Sequence, residues 1–128
     1  MIQVKHIPHK GRGIIATQNI TKGTVLEVAP VGVIPPEKQT MNPKGVFKYY
    51  FVRPSEYNEG QEVKAYYLIF GLVSFCNHSQ EPNAHVHWTE NEDGIWSNLI
   101  CQQDIQEGEE VTLFYTNIGE YMDRPRFV

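Results

Sequence analysis

Cysteine is scarce in this sequence. Its 128 residues hold two, Cys76 and Cys101, with no C-x-x-C spacing, so no disulfide framework organises the chain and the simplest reading is two buried thiols. Long apolar runs are lacking too. The most apolar stretch, around Ala65 to Cys76, is about half the length of a bilayer-spanning helix, and Met1 to Lys10 lacks the apolar core of a secretory signal. These absences lead us to expect an intracellular protein, cytoplasmic or nuclear in a eukaryotic host, with no membrane partner. Lys and Arg form no cluster and the formal charge is -4, which argues against direct nucleic-acid binding because neutralising phosphates needs a basic face. Neither low-complexity tracts nor internal repeats are evident. What is there, 41% hydrophobic and 12% aromatic residues, is the composition of a single folded domain over residues 1–128.

β-branched and aromatic residues dominate the apolar segments, which favours strands over helices. Ile2 to Ile7 predicts a short strand, broken by Pro8 to Gly13. Ile14 to Thr17 predicts a second strand, Gln18 to Gly23 a loop, and Thr24 to Ile34 a third strand that Pro35-Pro36 ends. After a polar connector, the aromatic segment Val46 to Val52 fits either strand or buried helix, and Arg53 to Gln61 reads as a loop. Val63 to Cys76 is the most apolar part. Ala84 to Thr89 alternates as a strand does, Asn91-Glu92-Asp93-Gly94 is a hairpin signal, and Ile95 to Gln102 is its partner. Asp104 to Glu110 predicts a further turn, Val111 to Tyr115 a last strand, and Thr116 to Val128 has no clear period. The expected fold class is mostly β (α+β), several small sheets with short helical pieces.

The apolar run from Tyr66 climbs directly into Asn77-His78-Ser79-Gln80-Glu81-Pro82-Asn83, so polar side chains start at the edge of the core. Such groups need partners, which can be backbone groups of an Asx-type turn or a ligand. Gly11-Arg12-Gly13-Ile14-Ile15-Ala16 fits the dinucleotide pattern G-x-G-x-x-A, but Ile, Ile and Thr are poor helix formers and Gly23 follows too soon for the helix that pattern requires. Two glycines between strands instead let the backbone approach something closely. Cys76, His78, His85 and His87 are a conceivable zinc set, since His85 and His87 share a strand face, although structural zinc sites use tighter spacing and more thiolates. Glu109 and Glu110 read as solvated turn carboxylates with no acid/base role. Tyr115 ends an apolar strand, where its ring can stay packed while its hydroxyl faces a site.

Together these pieces resemble the SET-domain family of protein lysine methyltransferases. Gly11-Arg12-Gly13, Asn77-His78-Ser79-Gln80-Glu81-Pro82-Asn83, and Ile105-Gln106-Glu107-Gly108-Glu109-Glu110 through Tyr115 stand in family order, and the resemblance spans essentially the whole chain. It is strongest to minimal, stand-alone SET domains of viral and bacterial type, given no cysteine-rich region on either side. The resemblance implies a fold of small β-sheets with a C-terminal pseudoknot, 116–128 being a post-SET-like tail. It implies S-adenosylmethionine as cofactor, held by Gly11, Arg12, Gly13, Tyr50, Asn77 and His78. Tyr115 would be the catalytic residue, and Tyr50, Phe75, Tyr115 and Tyr121 would line the lysine channel, with no resident metal.

Methyl transfer from a sulfonium to an ε-amine is a direct displacement, so the protein must align the atoms, favour a neutral amine and exclude water. A narrow aromatic channel does this and tolerates a cationic cofactor. The negative net charge suits a basic, lysine-bearing protein substrate such as a histone tail. Without zinc-binding cysteines, the tail would close the channel by packing, by homodimerisation or on substrate arrival. Two other readings remain open to the sequence: a non-catalytic SET-like protein-interaction module, and a zinc-binding β-domain.

Overall fold

A computed structural model of the chain describes residues 1–34, 50–51 and 66–115. Nine strands among these residues form two sheets. In chain order they are β1 (Ile2–Ile7), β2 (Gly11–Ala16), β3 (Val25–Ile34), β4 (Tyr50–Phe51), β5 (Tyr66–Ile69), β6 (Asn77–His78), β7 (Ala84–Asn91), β8 (Gly94–Cys101) and β9 (Glu110–Leu113), with a 3-10 turn at Leu72–Phe75. The mostly β expectation holds. The larger sheet runs β4-β5-β3-β8-β7 and the smaller β1-β2-β9-β6. All pairings are antiparallel except β6 with β9.

Strand patterning follows burial. On β1, Ile2 and Val4 are half-buried while Gln3 and Lys5 are exposed. On β8, Ser97, Leu99 and Cys101 point inward, and β7 turns His85, His87 and Thr89 outward. The hairpin between them pairs Asn91 with Gly94 across Glu92 and Asp93, as its turn residues predict. Asn91 secures it by accepting the Asp93 backbone N–H at 2.9 Å and the Trp96 indole N–H at 3.0 Å. Both cysteines are free and buried, in a core that includes Ile14, Val73, Leu99, Ile105 and Val111.

Three boundaries differ from the sequence reading. β2 begins at Gly11, so Gly11 to Gly13 belong to a strand and the break is confined to residues 8–10. β9 ends at Leu113, leaving Phe114 and Tyr115 beyond the strand. The described part of the apolar stretch expected over Val63 to Cys76, residues 66–76, divides into β5 and the 3-10 turn; Glu27 stabilises that turn by accepting the Leu72 and Val73 N–H groups at 2.8 and 3.1 Å.

A short internal repeat also exists. The loops after β2 and after β8 pair back to back around a local two-fold: Ile20 and Ile105 exchange both backbone hydrogen bonds, at 2.7 and 2.9 Å. Asn19 Oδ1 accepts the Glu107 N–H at 2.8 Å, and Asp104 Oδ1 accepts the Lys22 N–H at 2.7 Å. Gly23 donates to the Cys101 carbonyl and Gly108 to the Ala16 carbonyl, each at 2.8 Å. The repeat is five residues long, Asx-Ile-x-x-Gly, too short to register as periodicity. It ties together the two connections that run between the larger and the smaller sheet.

Candidate functional site

The smaller sheet gathers the three sequence motifs. Antiparallel pairing sets Ile14 beside Val111, and parallel pairing sets Asn77 beside Thr112 and His78 beside Leu113. β9 therefore lies between the glycine-bearing strand β2 and the Asn-His strand β6. Asn83, buried, fixes this layout: its Nδ2 donates to the Glu110 carbonyl at 2.8 Å and its Oδ1 accepts the Thr112 N–H at 2.9 Å. Ser79 Oγ accepts the Glu81 N–H at 3.0 Å in a local turn. Asn83 and Ser79 thus do satisfy backbone groups, whereas Asn77 does not serve its own turn.

Asn77 reaches across β9. Its Nδ2 donates to Glu110 Oε2 at 2.6 Å, with the Arg12 carbonyl at 3.5 Å. Gly13 faces the same point: a Cβ there would stand 2.8 Å from Asn77 Nδ2, 2.9 Å from Glu110 Oε2 and 2.7 Å from Ile7 Cγ1. The close approach expected of these glycines is therefore real at Gly13, and what it approaches is this amide and carboxylate together with the Ile7 side chain. Lys10 caps the group with an ion pair to Glu110 Oε1 at 3.0 Å.

Tyr115 is held at both ends. Its backbone N–H donates to His78 Nδ1 at 2.9 Å and its hydroxyl to the Cys76 carbonyl at 2.5 Å. The His78 ring lies 4.9 Å from the Phe114 ring and 5.5 Å from that of Tyr115, centroid to centroid. Burial lowers the His78 pKa below its ordinary value, consistent with a neutral ring whose Nδ1 is the acceptor. Arg12 places its guanidinium 4.9 Å from the Phe75 ring centroid, a cation–π contact that joins a residue expected at the cofactor to one expected in the channel. The backbone of Tyr50 pairs with Leu68 in the larger sheet; the Tyr50 side chain and all of Tyr121 lie outside the described residues.

The zinc set is not assembled. Burial above all, then the Glu27 and Glu110 carboxylates, drives the Cys76 thiol far above its ordinary pKa, which disfavours a thiolate ligand. His85 and His87 are exposed on β7, and among the described residues no three His, Cys, Asp or Glu side chains are placed to hold a metal ion. Glu110 is the residue that sequence reasoning missed. Read as a solvated turn carboxylate, it is a strand residue with a side chain only 17% exposed. Its position immediately before the apolar run Val111 to Leu113 was the available signal.

The family model for the SET domain matches residues 11–116. A Schizosaccharomyces pombe histone-lysine N-methyltransferase specific for H3 lysine 36 is 30% identical over 119 residues, which are 88% of this chain but only 14% of that protein. A second S. pombe histone-lysine N-methyltransferase, specific for H3 lysine 37, is 26% identical over 114 residues, covering 89% of this chain and 72% of that protein. The structure of the Neurospora SET domain protein DIM-5, a histone lysine methyltransferase, aligns with a TM-score of 0.67 at 19% identity, over 91% of this chain and 52% of that one. At that identity the likeness is one of fold. No helix among the described residues is long and apolar enough to cross a membrane.

Proposed function

This chain belongs to the SET-domain family, and on that premise we propose that it is an S-adenosylmethionine-dependent protein lysine N-methyltransferase acting on a basic, lysine-bearing protein such as a histone. The observation that carries the reading is the convergence of β2, β6 and the end of β9, which brings Gly13, Asn77, His78 and Tyr115 into one corner of one sheet.

The residues suit the cofactor. A cationic, amine-bearing ligand needs carbonyl and amide oxygens, and this corner offers the Arg12 carbonyl and the Asn77 amide. The glycine-bearing strand and the backbone of His78 would hold it along its length. When bound, S-adenosylmethionine supplies a methyl group activated on a sulfonium.

The chain's own groups do the rest. The Tyr115 hydroxyl donates its proton to the Cys76 carbonyl, so toward a substrate amine the phenolic oxygen would act as an acceptor, taking an amine N–H and aiming the amine lone pair. No proton needs to be taken by an ionised side chain in the transfer, and the protonated Cys76 thiol is not a competing nucleophile. The Phe114 and Tyr115 rings packed on His78, with Phe75 as a proposed channel residue, would lower local polarity, which favours the neutral amine. Tyr50 and Tyr121 are proposed as further walls of the lysine channel, and 116–128 as the segment that closes it, alone, through a second copy, or on substrate arrival. A histone substrate would put the protein in the nucleus of a eukaryotic host.

The test is methylation of core histones and other basic proteins by purified protein with labelled S-adenosylmethionine. Tyr115→Phe should lower transfer by about a hundredfold or more, the scale of a misaligned reacting pair, while leaving the fold and cofactor binding intact. A fully active variant would remove Tyr115 from the mechanism. Cofactor binding with no transfer to any basic protein would favour a protein-interaction module instead.

A further inference from the structure

Glu110 touches both halves of the site yet has no part in the chemistry outlined above. We propose that Glu110 is a positioning residue that fixes the orientation of the Asn77 amide for the cofactor, with Lys10 as its counter-ion; the inference rests on the cofactor reading of Asn77.

An ionised carboxylate only accepts hydrogen bonds, so the amide face turned to Glu110 must be the NH2 of Asn77. At 2.6 Å from Glu110 Oε2, the alternative, an amide oxygen against a carboxylate oxygen, is repulsive. Oδ1 is thereby turned away from the carboxylate and left free to accept. In water an exposed asparagine presents either end; here one end is chosen before any ligand arrives, which lowers the ordering cost of binding.

The surroundings are built around this contact. Gly13 has no room for a Cβ because Ile7 Cγ1 and the two atoms that form the contact all lie within 2.9 Å of where it would stand. Lys10, at the turn between β1 and β2, holds the other carboxylate oxygen at 3.0 Å. One side chain on β9 therefore ties the lead-in to Gly11-Arg12-Gly13 to the strand Asn77-His78. A mere structural strut would tie the same segments, so the distinguishing property is that Glu110 acts on the cofactor through Asn77.

The experiment is calorimetric titration of S-adenosylmethionine into wild type, Asn77→Ala, Glu110→Gln and the double variant, each checked for folding by thermal unfolding. Glu110→Gln should weaken binding about tenfold, the scale of one charge-assisted hydrogen bond. In the Asn77→Ala background the same change should cost less than about twofold, because its intermediary is gone. In the cofactor-free protein, the Asn77 side-chain amide NMR signals should move on Glu110→Gln. Lys10→Met, an exposed change that leaves the fold unstrained, should weaken binding about two- to threefold. Binding by Glu110→Gln equal to wild type, with Asn77→Ala impaired, overturns the inference alone. Full additivity in the double variant also overturns it, assigning Glu110 to the scaffold. Wild type that binds no cofactor, or Asn77→Ala that binds as wild type does, overturns the cofactor reading and this inference with it.

Discussion

Residues 19–23 and 104–108 both read Asx-Ile-x-x-Gly, end on glycines with φ of +90° and +88°, and exchange equivalent hydrogen bonds. Yet the strands they launch differ. The first leads into β3, in the interior of the larger sheet; the second leads into β9, which begins at Glu110 and ends at Leu113, two residues before Tyr115. The turn chemistry is a shared scaffold, and what separates the two regions is the residue that follows each glycine by two: Val25, half-exposed, in one case and Glu110, bonded to Asn77 and Lys10, in the other. A motif that fixes backbone geometry therefore says little about chemistry until the next strand is read.

The strongest way to break the equivalence is to hollow out its centre. Ile20 and Ile105 are both buried members of one core, so each change to Ala should cost about 2–5 kcal/mol in urea unfolding. As partners in one contact they should be non-additive together. A cost at one site less than half that at the other would mean that the two-fold is geometric but not energetic. Smaller, and more discriminating, are the glycines. A Cβ at Gly23 or Gly108 meets nothing within 4 Å, so Gly→Ala at either should cost only the strain of a left-handed backbone, about 1–2 kcal/mol. Thermal unfolding should show equal losses, while calorimetry with S-adenosylmethionine should respond to Gly108→Ala, two residues from Glu110, and not to Gly23→Ala.

The mildest contrast is in acid. β9 leads to a tyrosine whose N–H rests on His78, and burial lowers that histidine below its ordinary 6.5. The unfolded chain then binds a proton more readily than the folded one, so this share of stability is complete above about pH 6.5 and declines as pH falls below it. His78→Asn, which keeps an acceptor but does not titrate, should flatten the dependence in urea unfolding between pH 5 and 7.5; an unchanged slope would assign the acid sensitivity elsewhere.

Much of this was legible in the chain. The hairpin at Asn91 to Gly94 followed from turn residues between alternating strands, and both buried thiols from their apolar settings. The motif order gave Gly13, Asn77 and Tyr115, and the structure draws all three to one sheet corner. The misses share a cause. Gly11 and Gly13 read as a break because glycine punctuates locally, whereas pairing with β1 keeps them in a strand. Glu110 read as solvated because two adjacent acids usually are; only the fold brings Lys10 and Asn77 to it. Glu27 gave no signal at all, since the N–H groups it satisfies lie 45 and 46 residues further along the chain.

Asn83 has a further consequence. By giving Nδ2 to the Glu110 carbonyl and Oδ1 to the Thr112 N–H, its side chain occupies the backbone groups that a neighbouring strand would take, alongside a two-residue β6 too short to cover them. One amide thus works as a selvedge. It denies the start of β9 to any foreign strand on the β6 side, and so guards that margin of the site against the strand addition that open edges invite.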